Sequence, residues 1–144
     1  MNPLQTLRRR NRQLAIECLF KLENSDDYEE SHVNSLIQEV FELENKTAFD
    51  TTYAKSLIQG VMNDRSQIDQ VISDHLKEGW KLARIPKVDR NILRVAIYEL
   101  LNIRETDGAV IINEAIELSK EFSTENSPAF INGLLESVYQ EIQN

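Results

Sequence analysis

The chain has 144 residues, a net charge of −8 and a hydrophobic fraction of 41%, which predicts one folded domain and argues against a disordered segment. No apolar run approaches the roughly 20 residues that a membrane-spanning helix needs, and no apolar segment follows the first arginines as in a secretory signal. Cys18 is the single cysteine, so we expect no internal disulfide and no cysteine-rich zinc site, which fits a reducing, cytoplasmic location. We also expect no other metal site and no cofactor.

Helical periodicity dominates the chain, because apolar residues recur at three- and four-residue spacing and no segment alternates as a strand does. We predict an all-α fold of about seven helices in a single domain. The predicted helices cover about residues 4–22, 31–43, 49–61, 66–78, 86–101, 110–122 and 127 onward.

The first predicted helix carries four arginines, and residues 1–12 contain no acidic residue. Guanidinium groups pair with phosphate oxygens through two parallel hydrogen bonds and stack on bases, so one interpretation is binding of RNA or DNA. The alternatives are a solvated basic helix end and an anchor at a membrane surface. The rest of the chain is acidic, so a polyanion would bind only locally at this basic arm, and the acidic body would discourage non-specific binding or suit a basic protein partner.

Phe20 lies on the side of this helix opposite its apolar stripe, at about 100° per residue. A large aromatic side chain is seldom left exposed on a helix without a reason. Either another helix covers Phe20 or Phe20 belongs to a docking surface, and the periodicity leaves both alternatives open.

The segment Pro86–Leu101, PKVDRNILRVAIYELL, is apolar over most of the helix circumference, which is typical of a helix surrounded by others. We therefore place it at the centre of the fold. Glu99 falls on an apolar side of this helix, where a carboxylate needs a partner. We interpret Glu99 as a tie between helices, with a catalytic acid as the alternative if other reactive groups lie nearby.

Two glycines, Gly60 and Gly133, lie inside predicted helices. A glycine there costs helix stability, which indicates close packing of a neighbour at Gly60 and close approach of a backbone or a ligand at Gly133. We expect Gly79 to cap the fourth helix and Trp80 to plug the bundle before the central helix.

The residues show no pattern of a catalytic site. The four glycines form no phosphate-binding loop, the two histidines are far apart in the sequence, and the serines lie in no nucleophile elbow. We therefore expect a binding protein and not an enzyme. A hydrolase or transferase would require a site around Glu99 or Glu114.

Four segments stand out for their sequence: RRRNRQLAIECLF near the start, VDRNILRVAIYEL in the central helix, INEAIELSKEF in the sixth helix and FINGLLESV in the last. Together they resemble the NusB family of bacterial transcription antitermination factors. The resemblance covers nearly the whole chain, and the combination of segments is specific, whereas the arginine run alone is not. One departure is that many members carry a proline before the segment that matches VIINEA, whereas Asp107-Gly108 fills that turn here.

This resemblance implies two roughly perpendicular helical subdomains, about 1–79 and 80–144, that share one core. It implies an adaptor that binds boxA RNA of ribosomal RNA leaders together with the small-subunit ribosomal protein NusE, within the RNA polymerase antitermination complex. Some members self-associate, so a homodimer is one state that the resemblance allows. Related domains precede some ribosomal RNA cytosine methyltransferases, but this chain has no room for that catalytic domain, so we expect a stand-alone role.

The resemblance also implies a set of RNA-binding residues. Phe130 and Asn132 match positions near the RNA, where a phenyl ring can stack on an unpaired base and an amide can read a base edge. Packing in the core is the alternative for Phe130. The residues that match the family's arginine-rich RNA-binding motif are Arg8, Arg9, Arg10 and Arg12.

A second set of residues matches the partner side and the interior of the family. Phe20 and Asp89 match the side that meets NusE, and Phe20 stands where many members have tyrosine. Glu99, Asn113 and Glu114 match positions that we interpret as polar ties between buried helices. The competing hypothesis is a protein-interaction module that does not bind RNA, in which the arginines only solubilise the helix end.

Overall fold

The computed structural model describes residues 2–25, 30–44 and 49–143, and within these ranges every regular element is helical, which confirms the all-α prediction. A short 3-10 turn, Leu82–Arg84, precedes the fifth helix. Within the described ranges, no helix is long and apolar enough to cross a membrane. The α-helices are α1 Pro3–Ser25, α2 Glu30–Glu44, α3 Thr52–Asn63, α4 Arg65–Asp74, α5 Lys87–Asn102, α6 Gly108–Phe122 and α7 Ser127–Gln143.

Helix α5 lies at the centre of the fold, as its sequence predicts. It packs against α1, α3, α4, α6 and α7, and its side chains Ile92, Leu93 and Ile97 are almost completely buried. Each such side chain contributes about 1.5–3 kcal/mol through its burial. One hydrophobic cluster includes residues of all seven helices, so these helices share one core. The division into two roughly perpendicular subdomains stays a prediction.

The two arginines of α5 are buried and paired with carboxylates. Arg94 donates to Asp69 of α4 at 2.8 and 3.0 Å and to Glu23 of α1 at 3.2 Å. Arg90 also donates to Glu23, and it donates to the carbonyl oxygen of Leu82 at 3.2 Å. These contacts fix α1 and α4 on α5, because a buried charge that loses its partner is strongly unfavourable.

The connection between α4 and α5 differs from the prediction at two residues. Helix α4 ends at Asp74, so Gly79 does not cap it. Gly79 instead has a φ of +87°, a conformation that glycine adopts without steric cost, in the turn that follows. The prediction that Trp80 plugs the bundle is also wrong, since 58% of its surface is exposed.

The packing around Gly60 confirms the close contact that its position in a helix indicates. A Cβ atom on Gly60 would lie 2.1 Å from Cζ of Tyr98. We expect Gly60→Ala to destabilise the protein by about 1–3 kcal/mol, because the added methyl group must displace the Tyr98 ring. In a Tyr98→Leu background the same change should be neutral or stabilising, since alanine favours the helix. Urea denaturation measures both costs, and equal costs would contradict this explanation.

Candidate nucleic-acid interface

The four arginines of α1 have different environments, and that of Arg12 is internal. Only 3% of its surface is exposed, and its Nε and Nη2 atoms each donate to the Glu99 carboxylate at 2.8 Å. The hydroxyl group of Tyr53 donates to the same carboxylate at 2.6 Å. Glu99 therefore ties α1 and α3 to α5, which confirms its interpretation as a polar tie between helices.

Electrostatics favour the charged form of this buried pair. Burial lowers the pKa of Arg12, but the hydrogen bond and negative charge of Glu99 outweigh burial and raise it overall. Burial raises the pKa of the Tyr53 hydroxyl, and the charge of Glu99 raises it further. Tyr53 therefore stays protonated and acts as a donor to the carboxylate.

Arg8 and Arg10 are not enclosed in this way. Arg10 is exposed, and its Cζ atom lies 5.2 Å from the centre of the Phe49 ring. Arg8 is partly exposed, with its Cζ atom 4.2 Å above the Tyr53 ring, and it donates to the hydroxyl group of Thr106 at 3.1 Å. Because the aromatic rings hold these guanidinium groups through cation–π contacts, their remaining N–H donors form an ordered basic surface.

Arg9 lies against α6. Its Nε and Nη2 atoms donate to one oxygen of Glu114 at 3.0 and 2.5 Å, and this hydrogen bond raises the pKa of Arg9. Glu114 is 5% exposed and also lies 3.6 Å from Arg12, which confirms it as a tie between helices. Asn113 is exposed, so the prediction that it forms a similar buried tie is wrong.

A second accessible surface is an apolar groove between α1, the start of α5 and the end of α6, which we call the α1–α6 groove. It encloses about 340 Å³, and Phe20, Val88 and Phe122 are among the residues that line it. Phe20 is half-buried, and Phe122 is 51% exposed. Each alternative for Phe20 is therefore partly right, because neighbouring helices cover some of its ring and the rest contributes to an accessible surface.

Asp89 lies beside the α1–α6 groove but does not line it. Only 3% of Asp89 is exposed, and its carboxylate accepts hydrogen bonds from the hydroxyl groups of Ser123 and Ser127, the latter at 2.8 Å. Ser123 directly follows Phe122, the last residue of α6, and Ser127 is the first residue of α7. Asp89 thus positions one wall of the groove, and direct contact with a partner would require it to give up these hydrogen bonds.

Phe130 and Asn132 lie near the start of α7. Asn132 is exposed and Phe130 is half-buried, so Phe130 is neither a core residue nor a fully accessible one. The Phe130 ring stacks on Trp80, with ring centres 6.2 Å apart and planes 22° apart. The sequence pattern does not connect these two aromatic residues, which are separated by the whole of α5 and α6.

The structure does not bring all predicted RNA-binding residues to one point. The arginines of α1 meet α5 near Glu99, whereas α7 begins beside Asp89. Ten residues of α5 separate Asp89 from Glu99, which corresponds to about 15 Å at the helical rise per residue. A single ligand that contacts both groups must therefore be extended.

The sequence does not predict which residues contact the exposed arginines Arg8 and Arg10. Phe49, Tyr53 and Thr106 do not belong to the predicted RNA-binding set. The four-residue spacing of Phe49 and Tyr53 places the two aromatic side chains on one side of the chain, but nothing in that spacing indicates that α1 lies across them.

The described residues contain no group of three or more His, Cys, Asp or Glu side chains that is placed to hold a metal ion. The fold and the two surfaces define an all-helical binding protein with a basic helix end and a separate apolar groove. The chain belongs to the NusB family, whose model matches residues 9–140.

Curated relatives agree with this family. The transcription antitermination protein NusB of Desulfitobacterium hafniense is 37% identical over 135 residues, which cover 94% of this chain and 89% of that protein. The protein of the same name from Streptomyces avermitilis is 57% identical over 70 residues, which cover 49% of this chain and 48% of that protein. The chain thus spans about half the length of several curated relatives that it matches.

Solved structures show the same fold. T. maritima NusB superposes with a TM-score of 0.81 at 36% identity and covers 93% of this chain and 91% of that one. A structure of the antitermination factors NusB and NusE in complex with dsRNA contains a chain with a TM-score of 0.82 at 26% identity, covering 94% of this chain and 98% of that chain.

Proposed function

We propose that this chain is a transcription antitermination adaptor that binds RNA and a NusE-type protein at two different surfaces. The proposed RNA is boxA-type single-stranded RNA of ribosomal RNA leaders, and the proposed assembly is the RNA polymerase antitermination complex in the cytoplasm. Membership of the NusB family and the relative solved with NusE and dsRNA support this proposal.

The observation that carries RNA binding is the ordered pair Arg8 and Arg10 on the surface of α1. Their guanidinium groups rest on Tyr53 and Phe49, so little conformational freedom is lost when they meet a phosphate. The net charge of −8 disfavours general attraction of nucleic acid, so binding depends on this local basic surface. Arg9, which is about one third exposed, would add charge at its edge.

Arg12 and Asp89 act through their neighbours in this proposal. Arg12 holds α1 in place through Glu99, and Asp89 holds the corner between α6 and α7 through Ser127. Both are positioning residues for surfaces that other side chains form. Phe130 and Asn132 provide a further RNA contact at the start of α7.

The α1–α6 groove is the proposed site for the NusE-type partner. It is predominantly apolar, and the exposed part of Phe122 together with Phe20 and Val88 would be removed from water by a partner. Aromatic side chains in such grooves provide much of the binding energy of protein interfaces. The groove is separate from Arg8 and Arg10, so one molecule can hold both ligands.

The proposal predicts sequence-selective RNA binding that the partner strengthens. Labelled boxA-type RNA and a scrambled RNA are titrated at two salt concentrations, with and without the NusE-type protein. We expect the boxA-type RNA to bind more tightly and the partner to increase this affinity. Phe20→Ala should abolish the increase and retain RNA binding by the chain alone, because Phe20 lies only in the groove.

Ile142→Ala is a matched control, since Ile142 is 41% exposed near the end of α7 and away from the groove. It should leave both affinities unchanged. Equal affinity for the two RNAs with intact partner binding would contradict the proposed function and identify a protein-interaction module.

A further inference from the structure

We propose that Trp80 stacks on an unpaired RNA base while nearby basic side chains bind the adjoining phosphates. The site is a groove between the turn after α4 and the first half of α7, which we call the Trp80 groove. It encloses about 570 Å³, within the range of roughly 300–1,000 Å³ that is typical of ligand sites. This inference rests on the proposed RNA binding and extends its contact at the start of α7 to Trp80 and the basic segment that carries it.

The aromatic pair in the Trp80 groove is the first argument. The indole of Trp80 is 58% exposed, although its inner side is supported by the stacked ring of Phe130. In the turn that carries Trp80, the backbone N–H of Trp80 donates a hydrogen bond to the carbonyl oxygen of Lys77 at 3.0 Å, and Gly79 adopts a positive φ. A fixed, accessible aromatic face is what proteins use to stack on unpaired bases.

Charge complementarity is the second argument and identifies the ligand as a polyanion. The segment 77–87, KEGWKLARIPK, contains four basic residues and one acidic residue, a net charge of +3 in a chain of −8. Lys77, Lys81 and Arg84 are exposed on both sides of Trp80 in the sequence. Basic side chains that flank an exposed aromatic ring fit a single strand, whose phosphates and bases alternate.

Gly133 is the third argument, because it lines the same groove. A Cβ atom on Gly133 would meet nothing within 4 Å, so packing among the described residues does not require a glycine here. The sequence predicts that a backbone or a ligand closely approaches Gly133, and no described residue of the chain does so. A base that enters the groove would provide this close approach.

Trp80 is the single tryptophan of the chain, so intrinsic fluorescence reports on this site directly. We expect boxA-type RNA to quench the fluorescence of the wild-type chain, with the same midpoint as binding measured by anisotropy of labelled RNA. Trp80→Ala should lower the RNA affinity by about 5- to 100-fold, the range for loss of one base–aromatic stack. Trp80→Phe should retain most of the affinity, because a phenyl ring still stacks.

Two further variants separate a blocked groove from a damaged fold. Gly133→Leu should lower RNA affinity while thermal stability is kept or increased, since leucine favours a helix more than glycine does. Ile142→Ala is the control, because Ile142 is an exposed apolar residue of the same helix that lines neither groove. It should leave RNA binding by the chain alone unchanged.

The outcomes distinguish this inference from the proposed function. If the wild-type chain binds RNA and loss of Arg8 and Arg10 weakens binding, but Trp80→Ala does not, the inference is wrong and the proposed function remains. If no RNA binds with or without partner, both are wrong. A fluorescence change caused by the NusE-type protein alone, or by the chain's own concentration, would assign the groove to a protein partner or a second copy and overturn the inference.

Discussion

Glu99→Gln is expected to destabilise the protein by about 3–5 kcal/mol, the range for removal of one partner from a buried ion pair. The change leaves the volume of the side chain nearly constant, but it removes the carboxylate that binds Arg12 at 2.8 Å and leaves only Glu114, at 3.6 Å, as a nearby counter-charge. The hydrogen bond from Tyr53 also loses its charged acceptor. Urea denaturation should show a lower midpoint at an unchanged slope, since the folded state remains equally compact.

The control for this prediction is Glu136→Gln on α7. Glu136 is exposed, so the same chemical change there should alter the free energy of unfolding by less than about 0.5 kcal/mol. Replacing Glu99 and Arg12 together by methionine should recover much of the loss, because no unpaired charge then remains buried. If Glu99→Gln costs no more than Glu136→Gln, the tie between α1, α3 and α5 does not stabilise the fold.

The arginines of α1 are expected to separate into two classes. Replacing Arg8 and Arg10 together by alanine should weaken RNA binding and reduce the salt slope by about 0.7 for each single-strand phosphate contact that is lost. The stability cost should be about 1–2 kcal/mol, because two cation–π contacts and the hydrogen bond from Arg8 to Thr106 are removed. Arg12→Ala should instead cost about 3–5 kcal/mol of stability, because it leaves Glu99 buried and unpaired.

Lys120→Ala is the charge control for these variants, since Lys120 is an exposed cation near the end of α6. It removes a positive charge outside the arginine segment and should change RNA affinity and salt slope little. Affinities measured at three or more salt concentrations give the slope, and urea denaturation gives the stability. Unchanged RNA affinity in the Arg8 and Arg10 double variant would remove this basic surface from the proposal.

Much of the fold is predictable because it depends on interactions between residues that are close in the sequence. Helical spacing locates all seven α-helices, and the apolar circumference of α5 predicts its central position. The free-energy cost of burying an unpaired carboxylate also predicts that Glu99 has a hydrogen-bonding or charged partner. Helix ends are less predictable, and the fourth helix ends at Asp74 and not near Gly79. A glycine indicates a turn, but it does not determine at which residue the preceding helix ends.

The candidate site is less predictable than the fold. Four neighbouring arginines look equivalent in the sequence, yet Arg12 is 3% exposed and Arg10 is on the surface. The difference arises because successive residues of a helix point in directions about 100° apart, and each direction meets a different neighbour. Which neighbour it meets depends on how α3, α5 and α6 pack around α1.

The local sequence is therefore sufficient to predict the helices and the single core, since both follow from the periodicity of apolar residues. It is also sufficient to predict that buried polar groups need partners, since an unpaired polar group is costly to remove from water. Contacts between distant segments are needed for the rest. The stack of Trp80 on Phe130 and the rings under Arg8 and Arg10 join residues from separate helices or connections. The physical reason is that such pairs form only when the packing of the whole bundle brings their segments together. The distance between two side chains from different segments cannot be derived from their separation in the sequence.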